Sequence, residues 1–270
     1  MYLDFYKLTE NPFSVTADPS FLYLSKRHKE AMSHMQYGIE ERMGFLEITG
    51  EIGTGKTTLC KALINNLDDH TKTALMLNSN LPESQILQAI LQDFGIQVKS
   101  RTKINLLNEL NKFLLEQLKH NNNVVLIVDE AQNLKSSILE QIRLLSNLET
   151  EKEKLLQIVL VGQPELKEKL LSKDLEQLRQ RIAVRYHISP LGRDEIDGYI
   201  VHRLEVAGIK EKKIFTEDAV EEIYRFSKGV PRLINIVCNK ALLAGYVMEK
   251  EEINSDIIKK CAKEIEGIFE

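Results

Sequence analysis

The sequence predicts an α/β fold, in which helices cover both faces of a parallel five-stranded sheet, followed by a small all-helical region. Short apolar segments alternate with helical patterns as far as residue 188, and this alternation is typical of parallel α/β sheets. Residues 124–128 are apolar without alternation, which indicates a strand that is buried on both faces. After Pro190 only helical patterns remain. This change predicts an α/β domain at residues 1–190 and a helical domain at residues 191–270.

Two patterns predict the individual elements in chain order. Short apolar runs that are bounded by polar or glycine-containing turns predict strands. These runs lie at residues 44–49, 73–77, 124–128, 156–162 and 183–188. Apolar residues spaced three and four positions apart predict helices. Such spacing occurs at residues 26–42, 58–64, 83–94, 104–119, 136–149, 165–181, 193–207, 217–227, 232–248 and 255–266.

The segment between the first strand and the following helix reads GEIGTGKT at residues 50–57 and fits the phosphate-binding pattern G-x-x-x-x-G-K-[ST]. Glycines let backbone N–H groups surround an anion, and the helix that follows directs its positive end at the phosphates. Lys56 is expected to reach the β- and γ-phosphates of ATP, and the Thr57 hydroxyl to bind Mg²⁺. The residues predicted to bind the nucleotide here are Gly50, Glu51, Ile52, Gly53, Thr54, Gly55, Lys56, Thr57 and Thr58.

Two acidic residues, Asp129 and Glu130, follow the buried strand at residues 124–128. Ligands of open α/β sheets bind at the carboxyl ends of the strands. Asp129 is therefore predicted to bind Mg²⁺, directly or through water. Glu130 is predicted to be the general base that orients and polarises a water for attack on the γ-phosphate. A second carboxylate beside the metal-binding one favours hydrolysis over phosphoryl transfer to a metabolite.

Four further polar residues are candidates for the same site. Gln163 follows the fourth strand and could also position the attacking water. Arg179 and Arg181 precede the fifth strand, and Arg181 is the first choice for an arginine finger that neutralises charge in the transition state. Arg232 follows a Gly-Val-Pro turn at residues 229–231 and is predicted to bind the nucleotide and report its state to the helical domain. For each arginine the alternative is an ordinary packing or ion-pair role.

The first 24 residues are rich in aromatic side chains and contain Pro12 and Pro19. Since proline disfavours helix at its own position and at the preceding one, an irregular arm is predicted. Two interpretations of this arm remain open at this point. It either clamps the base of the nucleotide or packs on the core.

Composition and charge limit the classes of function. The chain of 270 residues carries a formal net charge of −4 and a pI of about 6.0, which gives no global attraction to nucleic acid. The longest apolar runs are too short to cross a bilayer, so no integral membrane segment is expected. The first residues lack the features of a signal peptide. Three scattered cysteines, Cys60, Cys238 and Cys261, indicate a reduced, intracellular setting, so we expect a cytoplasmic protein.

A set of short motifs extends over most of the chain. They read NPF at 11–13, DPSFLY at 18–23, GEIGTGKTT at 50–58, DEAQNL at 129–134, LLSNLE at 144–149, LVGQPEL at 160–166 and LRQRI at 178–182. Together these motifs resemble the AAA+ ATPases, and within that superfamily the general-secretion-pathway ATPase A (ExeA-type) group.

The resemblance implies a P-loop NTPase fold with strand order 5-1-4-3-2, a helical lid, and ATP with Mg²⁺ held between lid and sheet. It places Gln163 at the sensor 1 position, Arg181 near the arginine-finger region and Arg232 at the sensor 2 position. It also implies a homo-oligomer, either a ring or a filament, in which an arginine of one subunit reaches the ATP of its neighbour.

Two functions of different classes follow. The favoured one is an ATP-hydrolysing protein whose ATP-dependent oligomerisation drives or licenses assembly of a secretion, pilus or exopolysaccharide-export machine through a protein partner. Such a protein would lie in the cytoplasm, or at the inner face of the inner membrane through its partner. The alternative is a DNA-binding ATP switch of the transposition-regulator type, with duplex DNA as its partner. The pI of about 6.0 and the absence of a Lys/Arg stripe disfavour that alternative.

Overall fold

The computed structural model describes residues 1–77, 82–98, 102–150, 153–209 and 213–267, without the side chains of residues 83 and 84. The chain divides into two compact units. The first comprises Met1–Arg27, Glu51–Thr58 and Ser189–Glu270, and the second comprises His28–Gly50 and Leu59–Ile188. The compact units thus group the N-terminal arm and the glycine-rich loop with the C-terminal helices. The division into domains at residues 1–190 and 191–270 stays a prediction.

The second unit contains a parallel sheet of five strands, which confirms the predicted fold class. The strands are β1 (Phe45–Gly50), β2 (Thr71–Met76), β3 (Asn123–Val128), β4 (Gln157–Gly162) and β5 (Ile182–Ile188). Their spatial order is β2-β3-β4-β1-β5, which is the predicted order 5-1-4-3-2 read from the other edge. All neighbouring strands are parallel, so their carboxyl ends meet at one edge of the sheet.

Burial along the strands follows their place in the sheet. The central strands β1 and β4 are buried at every position, and β3 is buried at all but its first. Helices cover both faces of a parallel sheet, so its inner strands lack alternation. The outer strands β2 and β5 have partly exposed residues between buried ones. The sheet therefore holds its carboxyl-end residues on a rigid, fully packed centre.

Twelve α-helices lie within the described residues. They are α1 (Tyr2–Tyr6), α2 (Lys26–Glu40), α3 (Lys56–Asn66), α4 (Glu83–Asp93), α5 (Lys103–Lys119), α6 (Ser136–Leu145), α7 (Pro164–Leu170), α8 (Glu176–Arg181), α9 (Ile196–Val206), α10 (Glu217–Ser227), α11 (Pro231–Val247) and α12 (Ser255–Ile265). None of the helices in the described ranges is both long and apolar enough to cross a bilayer.

The predicted helix at residues 165–181 is wrong as a single element. It is two helices, α7 and α8, separated by a 3-10 turn at Lys173–Leu175. The reason is the spacing of the buried residues Leu170 and Leu175. Five positions correspond to a rotation of about 140° beyond one full turn, so a straight helix cannot bury both side chains on one face.

The predicted helix at residues 136–149 is also too long, since α6 ends at Leu145. Ser146 closes the helix by donating both its N–H, at 3.1 Å, and its hydroxyl, at 2.7 Å, to the carbonyl oxygen of Arg143. Such local bonds from a serine side chain compete with continued helix. The residues that follow are therefore presented on a turn.

The N-terminal arm is more ordered than predicted, because it contains the short helix α1. Tyr2 donates from its hydroxyl to Asn239 Oδ1 at 3.0 Å, and the Tyr6 hydroxyl donates to the Lys250 carbonyl oxygen at 2.8 Å. These long-range contacts order a segment whose local sequence predicts irregular structure. Phe13 and Phe21, further along the arm, are buried in the same core as helices α9 to α12. The arm thus packs on the helical core, and a role as a clamp over the base stays a prediction.

One buried arginine fastens this arm. Arg203, on α9, donates to the carbonyl oxygens of Pro12 and Ser14, the latter at 3.0 Å. Its guanidinium also lies 4.8 Å from the centre of the Phe21 ring, a cation–π distance. The side chain is 6% exposed. The charge is thus satisfied by two carbonyl groups and an aromatic face.

Candidate functional site

The glycine-rich loop after β1 has the backbone of an anion cradle. Gly53 and Gly55 have φ angles of 80° and 92°, a region that side chains rarely tolerate. Lys56 is 5% exposed, and its Nζ donates to the Glu51 carbonyl oxygen at 2.9 Å. The Thr54 hydroxyl donates to the same oxygen, also at 2.9 Å. Helix α3 begins at Lys56, so the loop presents a buried cation and a helix N-terminus together.

Arg232 lies against this loop in the first compact unit. Its backbone N–H donates to the Gly53 carbonyl oxygen at 3.2 Å. A Cβ added to Gly53 would lie 2.6 Å from the Cβ of Arg232 and 3.3 Å from a side-chain carbon of Val230. Glycine is therefore required at this position for two reasons, its positive φ and the close approach of α11. The structure brings Arg232 to the phosphate-binding loop, and its role as a nucleotide ligand stays a prediction.

The two carboxylates at the end of β3 have different surroundings. Asp129 is buried, at 1% exposure, and its N–H donates to the Met76 carbonyl oxygen at 3.0 Å. Its Oδ1 accepts the N–H of Glu130 at 2.8 Å. Glu130 is partly exposed and has a left-handed backbone, with φ of 52°. The pair thus presents one enclosed carboxylate and one that solvent can reach.

Two glutamine amides hold the Glu130 side chain. Gln163 Nε2 donates to Glu130 Oε2 at 3.1 Å, and Gln132 Nε2 donates to the same oxygen at 2.6 Å. The structure therefore brings together Glu130 and Gln163, two of the predicted catalytic residues. An amide pair of this kind restricts the orientation of a carboxylate without neutralising its charge.

Gln132 was missed by sequence reasoning as a site residue. It belongs to a 3-10 turn, Ala131–Asn133, which neither helical nor strand periodicity marks. Its position shortly after Asp129 and Glu130 is the signal that could have identified it.

Arg181 contacts the turn after α6, and Arg179 contacts β5 through its backbone. Arg181 Nη1 donates to Ser146 Oγ at 2.9 Å and to Asn147 Oδ1 at 2.6 Å. The carbonyl oxygen of Arg179 accepts a bond from Arg185, whose Nε lies 3.2 Å from Glu47 Oε2. Burial raises the pKa of Glu47, and the charge of Arg185 opposes that rise. The contacts of Arg181 therefore involve the turn after α6, and its role as an arginine finger stays a prediction.

The donor groups suit a nucleotide and a divalent cation. The loop offers backbone N–H groups and Lys56 to phosphate, the arrangement expected of an anion site. The Thr57 hydroxyl and the Asp129 carboxylate are each an oxygen donor of the kind that Mg²⁺ prefers, and their role as its ligands stays a prediction. Across the part of the chain that is described, no group of three His, Cys, Asp or Glu side chains could hold a metal. Mg²⁺ takes one or two protein ligands and completes its shell with water and phosphate oxygens, so its binding here stays a prediction.

The fold and the loop define a P-loop NTPase of the AAA class. Residues 39–170 match the family model of the AAA domain. Two solved structures share the fold. The Aeropyrum pernix ORC2 protein has a TM-score of 0.68 and 18% identity over 95% of this chain and 72% of its own. The Thermotoga maritima RuvB Holliday junction branch migration motor has a TM-score of 0.56 and 18% identity over 89% of this chain and 69% of its own.

In sequence the chain is similar to General secretion pathway protein A of Aeromonas hydrophila. The two are 44% identical over 269 residues, which is 99% of this chain and 49% of that protein. This confirms the predicted resemblance to the general-secretion-pathway ATPase A group. The chain spans about half the length of the curated relatives it matches. The match to the AAA domain supports ATPase activity, the predicted class of enzyme.

Proposed function

We propose that this protein hydrolyses ATP and uses ATP-dependent oligomerisation to drive or license the assembly of a secretion, pilus or exopolysaccharide-export machine. The observation that carries the proposal is the 44% identity to General secretion pathway protein A over 99% of this chain. The loop at residues 50–57 and the amide-held Glu130 supply the chemistry that such a role needs. The partner would be a protein of that machine, and this chain would bind it in the cytoplasm or at the inner face of the inner membrane.

The residues of the loop and of the end of β3 would divide the work of hydrolysis. Lys56 would neutralise charge on the β- and γ-phosphates, and loop N–H groups would hold the remaining oxygens. Thr57 and Asp129 would hold Mg²⁺, which when bound draws charge from the phosphate oxygens. Glu130 would accept a hydrogen bond from a water molecule and direct that water at the γ-phosphorus. Gln163 would restrict the orientation of the Glu130 carboxylate.

The arginines would make hydrolysis depend on oligomerisation. Arg181, with Arg179 as second choice, would reach the ATP of a neighbouring subunit and stabilise transition-state charge. Arg181 is exposed and bonded to polar side chains of Ser146 and Asn147. These bonds could be exchanged for bonds to a phosphate at modest cost, because a charged acceptor makes the stronger hydrogen bond.

A DNA-binding ATP switch is the second candidate. RuvB, one of the structural relatives, is described as a Holliday junction branch migration motor. At 18% identity that likeness supports the fold alone. The formal net charge of −4 provides no broad attraction to a polyanion. A rise in ATP turnover with duplex DNA that disappears steeply with added salt would favour this candidate over an export machine.

The first experiment measures ATP turnover per subunit over a wide range of protein concentration. We expect turnover to climb with concentration, since a neighbour's arginine completes each site only in the assembly. Sizing of the same samples by light scattering should show larger particles over the same range. Appreciable turnover that stays flat while the protein remains monomeric would contradict the oligomeric mechanism.

A further inference from the structure

The side chain of Gln132 connects the ends of β3 and β4. Its Nε2 donates to Glu130 Oε2 at 2.6 Å, and its Oε1 accepts the backbone N–H of Gln163 at 3.1 Å. One amide thus touches the carboxylate on one side and the backbone of a central strand's end on the other.

The orientation of this amide is fixed by its partners. A backbone N–H can only donate, so the group that faces Gln163 N must be the carbonyl oxygen. The NH₂ group then faces Glu130, which as a carboxylate can only accept. A flipped amide would place a donor against a donor and an acceptor against an acceptor, and the hydrogen-bond network excludes it.

The surroundings of Gln132 hold it in place from two further directions. A Cβ added to Gly162 would lie 2.7 Å from Gln132 Oε1. Only glycine at this last position of β4 therefore leaves space for the Gln132 amide. Lys169, on α7, donates from Nζ to the carbonyl oxygens of Gln132 and Leu134, the latter at 2.8 Å. Side chain and backbone of the turn are therefore both anchored to elements of the sheet unit.

Both glutamine amides bond to the same oxygen of Glu130. Gln132 and Gln163 donate to Oε2, and within the described residues this leaves Oε1 as the oxygen that can accept a proton from water. Two donors on one oxygen fix the direction in which the other oxygen points. A general base works only when its accepting atom lies within hydrogen-bond reach of the proton that it takes.

We propose that Gln132 is a positioning residue of ATP hydrolysis, which aims the Glu130 carboxylate by bonding it to the end of β4. The proposal rests on the role proposed above for Glu130 as the general base. In this role Gln132 acts through Glu130 and not directly on the nucleotide or the water. The side-chain oxygen of Gln132 accepts the backbone N–H of Gln163. A movement of the backbone at the end of β4 would therefore also move the Glu130 carboxylate.

The deciding variant is Gln132→Glu, which keeps the size and shape of the side chain. Its new carboxyl can still accept from Gln163 N, but its second oxygen faces Glu130 Oε2. We expect kcat at about pH 8 to fall on the order of 10- to 100-fold. The two carboxylates repel each other, and this repulsion changes the orientation of the Glu130 carboxylate relative to the attacking water. Affinity for a fluorescent ADP analogue should stay within about twofold, because the phosphate-binding residues are unchanged.

A second variant separates aiming from a general structural effect. Gln132→Met has a similar volume but no donor, so its kcat should also fall. Its affinity for the fluorescent ADP analogue should stay within about twofold of wild type. A purely structural role would instead weaken nucleotide binding or lower the melting temperature together with kcat.

Controls distinguish the possible failures. Gln85→Glu, at an exposed position on α4, makes the same charge change and should match wild type. If Glu130→Gln is stalled while Gln132→Glu and Gln132→Met turn over at the wild-type rate, the proposal for Gln132 is wrong and the role of Glu130 stands. If Glu130→Gln itself turns over normally, the general-base role fails, and the proposal for Gln132 with it. Should Gln132→Glu not fold, the kcat of Gln132→Met decides.

Discussion

Glu130 combines a strained backbone with a highly constrained side chain. A φ of 52° costs a non-glycine residue roughly 1–2 kcal/mol. Its N–H bonds to Asp129, and its carboxylate accepts the amides of Gln132 and Gln163. Strain of this kind persists where the surroundings determine it, and such positions cluster at functional sites. Because other non-glycine residues such as Lys7 and Lys228 have a similar φ, the support for the catalytic role of Glu130 comes from its side-chain hydrogen bonds.

Lys56 gives the simplest prediction at the scale of single residues. Lys56→Ala should lower ATP affinity by roughly 10- to 100-fold, because a charge-assisted hydrogen bond to phosphate contributes about 1.5–3 kcal/mol. The measurement is a titration with a fluorescent ATP analogue, with circular dichroism to verify the fold. Lys112→Ala, which removes a lysine from an exposed position on α5, is the control and should bind normally. Wild-type affinity in Lys56→Ala would reject the phosphate-loop assignment.

At the scale of elements, the turn that precedes α11 depends on a glycine. Gly229 has φ of 79°, and a Cβ there would overlap the backbone of Leu191, chiefly its carbonyl oxygen. The Leu191 N–H in turn donates to the Gly229 carbonyl oxygen at 2.9 Å. The turn before Arg232 is therefore packed directly on the segment that leads into the helical core.

Gly229→Ala should destabilise the protein more than its backbone conformation alone explains. The left-handed conformation costs alanine about 1 kcal/mol, and displacing the Leu191 backbone should add roughly 2 kcal/mol. Thermal unfolding measures the effect, at about 2–4 °C per kcal/mol for a chain of this size. Gly95→Ala is the matched control, because Gly95 has φ of 75° and no heavy atom within 4 Å of an added Cβ. Equal melting shifts for the two variants would show that the close approach to Leu191 carries no cost.

At the scale of the whole molecule, the arginine-finger role predicts complementation between subunits. Arg181→Ala and Glu130→Gln should each be inactive alone. Mixed in equal amounts, they should regain up to about one quarter of wild-type turnover, because random head-to-tail assembly gives that fraction of interfaces with both groups intact. The assay is ATP turnover of the mixture across several mixing ratios.

A control is needed because Arg181 also bonds within its own chain. Asn147→Ala removes one of those bonds and leaves the arginine in place, so it should retain turnover. Loss of activity in Asn147→Ala, together with no recovery in the mixed sample, would show that Arg181 stabilises the turn after α6 in its own chain and is not an arginine finger. Arg179 would then be the next arginine to test.

The sequence by itself determined the strands of the sheet and the phosphate-binding loop, and its resemblance to the AAA+ ATPases implied the strand order. Strands such as β3 are strong local signals, because a strand buried on both faces must be apolar throughout. The loop at residues 50–57 is recognisable because an anion cradle needs glycines at fixed positions and a lysine at the start of a helix. The motifs extending over residues 11–182 identified the class of ATPase for the same reason, since chemistry restricts residue type at each position.

The tertiary structure decided what depends on contacts between distant segments. It broke the predicted helix at residues 165–181, and it made part of the arm helical through contacts with residues 237 and 244 positions away. It placed Arg232 against Gly53 and brought Gln132 between Glu130 and Gln163. Sequence periodicity reports which face of an element is buried, and carries no information about which side chains meet at the ends of strands. The aim of the Glu130 carboxylate is therefore a property of the folded chain.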